Sequence, residues 1–202
     1  DQRLYADKQG SRASAGRQSR DVLIRALIAR HPSLADHSEE VAELSHAVAL
    51  ELGLDPATAE RVREAAELHD VGKVGIPDAI LDKPGPLDAH EWSYVSRHTI
   101  IGERIIGAAP ALREVARMVR ASHERWDGGG YPDGLAGEEI PLGARIVAVA
   151  DAYDAITTDR PYAAARSHEL AVAELRRCAG TQFDPRVVEA FCRAVDRTPA
   201  RA

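Results

Sequence analysis

An all-α fold, a helical bundle with polar groups turned into its core, is the class this sequence predicts, and three observations carry it. The 202 residues are 45% hydrophobic, enough for one substantial core. Aromatic residues make up only 4% while Ala, Leu, Val, Arg and Glu abound, a balance that favours helix over strand. Apolar residues recur at three- and four-residue intervals in one segment after another.

Taken in order, residues 1–19 read as a tail and linker, because GSRASAGRQS is small, polar and basic. Residues 20–33 carry the apolar pattern DVLIRALIAR of a connecting helix, residues 34–195 form the main domain, and 196–202 a C-terminal tail. A helix starting near Asp36 and ending at Gly53 places His37, Val41, Leu44 and Val48 on its inward face. After the turn LDPA, a helix over 57–70 delivers His69 and Asp70 at its C-terminal end, and Gly72 breaks it. The stretch VGIPDAILDKPGPLD reads as a loop with at most one helical turn.

From Ala89 to about Gly107 one helix is predicted, with Tyr94, His98, Ile101 and Ile105 on a single face. Leu112, Val115, Val119 and His123 mark another, followed by the glycine-rich loop DGGGYPDGLAGEEIP. Residues 143–157 return to helix with Val147, Asp151 and Asp154 on one side, and two acids on an apolar face need a partner. A last pair of helices, around 167–178 and 185–195, is joined by GTQFDP.

The formal charge of −6 argues against DNA as a partner but not against a local pocket for a small phosphorylated ligand. Cys178 and Cys192 form no CxxC pair, which fits reduced thiols in a cytoplasmic chain. No run of 18 apolar residues is present, and the start lacks a signal-peptide core. Asp1 in place of Met suggests a piece of a longer polypeptide, whose other part could hold a sensor or a membrane anchor.

Periodicity turns His37, His69, Asp70, His98, His123 and Asp151 inward. Four imidazoles and two carboxylates in a bundle core have one economical explanation, a metal site, since buried charge is costly unless paired or bound to a cation. His31, His46, His90 and His168 lie at helix ends or off the apolar stripes and are read as solvated or capping residues.

The runs LHDVGKVGIPDAILDKPGPL, SHERWDGGGYPDGLAGEEIPLGARIVAVADAYDAITTDRPY and GTQFDP closely resemble the HD-GYP family, a branch of the HD phosphohydrolases. The resemblance covers about residues 34–195 and keeps the family's motif order. It implies an HD-type helical bundle whose core holds two divalent ions, usually iron or manganese, and hydrolyses cyclic di-GMP. Carried over, His37 matches the first metal histidine, His69 and Asp70 form the HD pair with Asp70 as the bridging carboxylate, and Asp151 is the terminal acid on the first ion. His98 and His123 match ligands of the second ion. Lys73 resembles the lysine on the scissile phosphate, and Asp70 and Lys73 are thus the catalytic candidates. Gly130, Tyr131 and Pro132 are the GYP motif lining the substrate cleft, and Arg160 matches a phosphate-binding arginine.

Three departures from the family pattern bear on function. Ser122 stands where the first of two adjacent histidines is usual, which implies a more weakly held second ion. Ser33 replaces the acid that supports a third ion, and Ala163 replaces a basic residue near the phosphate. The tail DQRLYADKQGSR resembles the end of a GGDEF diguanylate cyclase domain, which implies such a module, or a sensor, upstream. The expected activity is metal-assisted hydrolysis of cyclic di-GMP to linear di-GMP or GMP in bacterial signalling. The rival is a degenerate domain that binds cyclic di-GMP or a partner protein without cleaving it. A homodimer is compatible with either.

Overall fold

Val41, Ala42, Val48 and Ala49 are fully buried on one side of the first long helix, α1 (Leu34–Glu51). Gly53 adopts a left-handed φ of 81°, which ends the helix and lets the Leu54 N–H reach the Ala49 carbonyl at 3.1 Å. The computed structural model describes residues 18, 20–25, 29, 34–159 and 164–197. Among these, residues 20–25 are helical, and Leu23 and Ile24 pack against the core.

Helix α2 (Pro56–Leu68) begins with Pro56 behind the Asp55 cap, whose carboxylate accepts the Ala57 and Thr58 amides at 3.0 and 3.1 Å. It lies along α1 and buries Ala59, Val62, Ala65, Ala66 and Leu68. The helix stops two residues short of Asp70. His69 and Asp70 sit in the turn that enters a 3₁₀ segment, Val71–Gly75, and α3 (Asp78–Leu81) is a single turn in the following loop.

The continuous helix expected over 89–107 is two helices, α4 (Ala89–Val95) and α5 (His98–Gly107). An Asp88–Glu91 capping box starts α4. At the break, the hydroxyls of Ser93, Ser96 and Thr99 and the imidazole of His98 all bond backbone carbonyls three residues earlier. Such bonds compete with the helical ladder and reset the register. The buried face of α5 is therefore His98, Thr99, Gly102 and Ile106, while Tyr94 on α4 is 36% exposed and Ile101 and Ile105 are half-buried.

After a 3₁₀ turn, Pro110–Leu112, helix α6 (Arg113–Arg120) packs Val115, Ala116 and Val119 inward. It too ends early, so His123 lies in the turn beyond the helix and not on it. Helix α7 (Leu142–Thr157) runs against α1 and α2 and also meets the last two helices, α8 (His168–Arg177) and α9 (Pro185–Asp196). Its Ala144, Ile146, Val147, Val149 and Ala150 are all buried, as suits a central helix. Asp184 caps α9 by accepting the Arg186 N–H at 2.8 Å and pairs with Arg145 of α7 at 2.7 Å.

The described residues form no strand, only isolated bridges at Asp127–Ala136 and Ala179–Phe183, and the fold is all-α. Cys178 and Cys192 are buried free thiols. No described helix is long and apolar enough to cross a membrane.

Candidate metal centre

Gly72 explains how two distant parts of the chain meet. A Cβ there would collide with the His98 carbonyl oxygen and the Gly102 amide, so only glycine lets the turn after Asp70 lie directly on the start of α5. That approach sets His98 Nε2 3.7 Å from Asp70 Oδ1. On the other side of the same carboxylate, His69 Nε2 stands 3.6 Å from Oδ2. Asp70 is shared by two clusters whose ligand atoms lie within 4.8 Å of one another, His37, His69 and Asp70 in one and Asp70, His98 and His123 in the other.

The imidazoles are turned by their outer nitrogens. His69 Nδ1 bonds the Ala66 carbonyl at 2.7 Å, and His98 Nδ1 bonds the Val95 carbonyl at 2.7 Å. A carbonyl can only accept, so each Nδ1 carries the proton and each Nε2 offers a lone pair to the centre. The Nε2 atoms of His98 and His123 are buried without a hydrogen-bond partner. Buried donorless nitrogens beside a shared carboxylate fit a divalent cation by their chemistry.

Asp151 approaches from α7, its Oδ1 3.3 Å from His37 Nε2 and 4.0 Å from His69 Nε2. The other nitrogen of His37 bonds Asp154 Oδ2 at 2.5 Å. Burial alone would pull the His37 pKa down, but the carboxylates of Asp151 and Asp154 outweigh it and hold the imidazole up at about 9. At His123 burial, reinforced by His98 and His69, outweighs the pull of Asp151 and Asp70, and the imidazole falls to about 4. Burial would raise Asp70, yet Lys73, His69 and His98 hold it well below the usual carboxylate range. Asp151 is depressed in the same way, the pull of His37, His69 and His123 overcoming burial. The donors nearest the centre thus include the carboxylates of Asp70 and Asp151, held ionised, and the imidazoles of His98 and His123, held neutral by burial.

Lys73 Nζ pairs with Asp70 Oδ2 at 2.6 Å and is partly exposed. Tyr131 of the glycine-rich loop stacks on His123, 5.2 Å between centroids and 10° between planes. Gly130 packs so tightly on Glu124 and Arg125 that a Cβ would overlap their backbone. The Tyr131–Pro132 peptide is cis. Ser122 is buried and donates its hydroxyl to the Val119 carbonyl at 2.9 Å, its hydrogen used at the end of α6.

Every described residue singled out by periodicity therefore gathers here. Arg160, Ser33, Ala163, His31 and the GGDEF-like tail lie outside the described residues. Of the histidines set aside, His90 is exposed, His46 is half-buried, and His168 bonds the Tyr153 hydroxyl at 2.9 Å. Two functional candidates went unassigned from sequence. Asp154 was visible as an inward acid in need of a partner, and that partner is His37. Glu124 gave no signal, yet its buried carboxylate accepts the amides of Asp133, Gly134 and Leu135 at 2.7, 3.1 and 3.1 Å and so pins the loop behind Tyr131.

A match to the HD domain family extends over residues 21–187. The chain belongs to the HD-domain family. Its HD pair is His69–Asp70, and Gly130-Tyr131-Pro132 is the tripeptide of the HD-GYP branch. The chain is 45% identical over 157 residues to a cyclic di-GMP phosphodiesterase of Thermotoga maritima, covering 77% of this chain and 43% of that protein. It is 41% identical over 171 residues to 3′3′-cGAMP-specific phosphodiesterase 3 of Vibrio cholerae, covering 85% and 37%. The crystal structure of the V. cholerae cyclic GMP-AMP specific phosphodiesterase V-cGAP3 superposes with a TM-score of 0.58 at 34% identity, covering 89% of this chain and 41% of that chain. The present HD-GYP chain spans less than half the length of these relatives.

Proposed function

We propose that this HD-GYP domain hydrolyses a phosphodiester bond of cyclic di-GMP, giving linear di-GMP or GMP in bacterial second-messenger signalling. The observation that carries the reading is the sharing of Asp70 between two buried donor clusters. One ion would be held by His37, His69, Asp70 and Asp151, and a second by Asp70, His98 and His123. Mixed nitrogen and oxygen donors suit iron or manganese better than calcium. Bound divalent ions would supply Lewis acidity and a water acidified enough to attack phosphorus near neutral pH.

The chain's own groups would do the rest. Lys73, three residues after Asp70 in the sequence, reaches the centre and offers Nζ to a nonbridging phosphate oxygen. Arg160 would offer a second cation. Tyr131, laid flat on His123, walls the cleft and keeps bulk water from the ligand histidines. A cytoplasmic setting and an upstream GGDEF or sensor module belong to the same reading, and a homodimer is compatible with it.

Ser122 favours a second reading, in which the domain binds cyclic di-GMP or a partner protein without turnover, because this position adds no imidazole to His98 and His123. Asp70→Asn separates the two. Under hydrolysis it abolishes turnover and lowers retained metal, both measured on one preparation. Nucleotide binding by the unsubstituted metal-loaded chain, with no product formed, would establish the receptor reading instead.

A further inference from the structure

Trp92 on α4 is 51% exposed, yet it stands at the end of a row of rings that begins inside the metal centre. The His98 and His123 rings lie 4.9 Å apart, Tyr131 lies on His123, and Trp92 meets Tyr131 edge-on at 5.9 Å and 82°. Single exposed apolar side chains are ordinary on protein surfaces. This one continues the row of rings outward from the histidines, and about half of its surface is open to solvent.

We propose that Trp92 is a stacking platform for a purine base of the bound cyclic dinucleotide. The inference rests on the cyclic-dinucleotide reading above and extends it to a residue outside the HD and GYP motifs. A phosphate engaged at Asp70 and Lys73 is joined to its base through a ribose, so the base falls beyond the reach of Lys73, toward the rim. Tyr131 already spends a face on His123. The next aromatic surface outward is Trp92, whose fused rings match the area of a purine. An aromatic face holds any base by stacking and does not read its hydrogen-bonding edge. Trp92 therefore supplies affinity without choosing between guanine and adenine.

Two tryptophans make the test direct. The other, Trp126, lies under the Arg145 guanidinium at 5.7 Å, so on a Trp126→Phe background the remaining emission reports Trp92 alone. The probes are slowly hydrolysed phosphorothioate analogues of cyclic di-GMP and of 3′3′-cyclic GMP-AMP, added to the metal-loaded full chain. Saturable quenching by both is expected. Trp92→Ala should weaken both by roughly ten-fold or more, the loss expected for one base stack, and Trp92→Phe by clearly less. The KM should rise while kcat at saturation holds. Because Trp92 is exposed, the melting temperature should hold as well.

Binding by equilibrium dialysis without quenching, or with unchanged affinity in Trp92→Ala, would overturn the platform and leave the parent reading intact. Loss confined to one of the two nucleotides would overturn stacking as its basis. A chain that binds neither analogue by dialysis overturns the cyclic-dinucleotide reading itself, and the platform with it.

Discussion

His37 and Asp154 are joined at 2.5 Å, imidazole Nδ1 to carboxylate Oδ2, across 117 residues of sequence. Asp154 is 3% exposed and is steadied by the Thr158 hydroxyl, which donates to its Oδ1 at 3.2 Å. Helix α7 thus presents one acid, Asp151, to the centre and a second, Asp154, behind His37, the histidine proposed above as a metal ligand. A carboxylate behind a ligand histidine fixes the ring and raises its basicity. Asp154→Ala should lower metal affinity by about 10- to 100-fold, read by competition against a chromophoric chelator. Unchanged affinity with a lowered melting temperature would make Asp154 a packing residue only.

Glu124 holds three backbone amides of the loop behind Tyr131. Bonds to a charged acceptor are each worth about 1.5–3 kcal/mol, and some of that is recovered when water enters the loop. Glu124→Ala is expected to lower the melting temperature by roughly 5–10 °C, at about 2–4 °C per kcal/mol for a chain this size. Calorimetry checks the first effect, and a raised KM checks the loosening of the loop.

The protein stripped of metal should be most stable near the ordinary histidine pKa of 6.5. His37, raised to about 9 when folded, contributes fully below 6.5, and that contribution is lost as pH rises through 9. His123, lowered to about 4, contributes fully above 6.5, and its contribution is lost as pH falls through 4. Melting temperatures across this range should show both limbs. His37→Gln should flatten the alkaline limb and His123→Gln the acid one. A bound cation would suppress the alkaline limb by replacing the proton at His37.

Ser122 is buried, and its hydroxyl closes the end of α6. Ser122→His should tighten the second ion, raising the metal that survives a chelator challenge, and increase turnover. Ser122→Ala, which loses only the bond to Val119, should leave that amount unchanged. Equal amounts in all three proteins would remove Ser122 from any account of the second ion.

Helical periodicity made the fold class legible, because burial on a bundle helix is a local pattern. It also drew out His37 and Asp151, which sit within helices. His69, Asp70 and His123 were found although their helices stop short of them, since a residue just past a helix end still follows its last inward direction. The break before His98 was not legible. The three-and-four spacing of apolar residues runs through it, while the side-chain bonds of Ser93, Ser96, Thr99 and His98 that make it depend on rotamers. The partners of Asp154 and Glu124 were hidden for a related reason. A buried acid announces that it needs a partner, but only the folded path of the chain says which.

The central claim is that Asp70 joins two metal positions in a working hydrolase. Elemental analysis of protein purified without chelator and under exclusion of air, with a cyclic di-GMP hydrolysis assay on the same sample, tests it most directly. Two metal equivalents per chain, with turnover that chelation abolishes and added iron or manganese restores, is the predicted result. Turnover that survives both complete chelation and Asp70→Ala would contradict it.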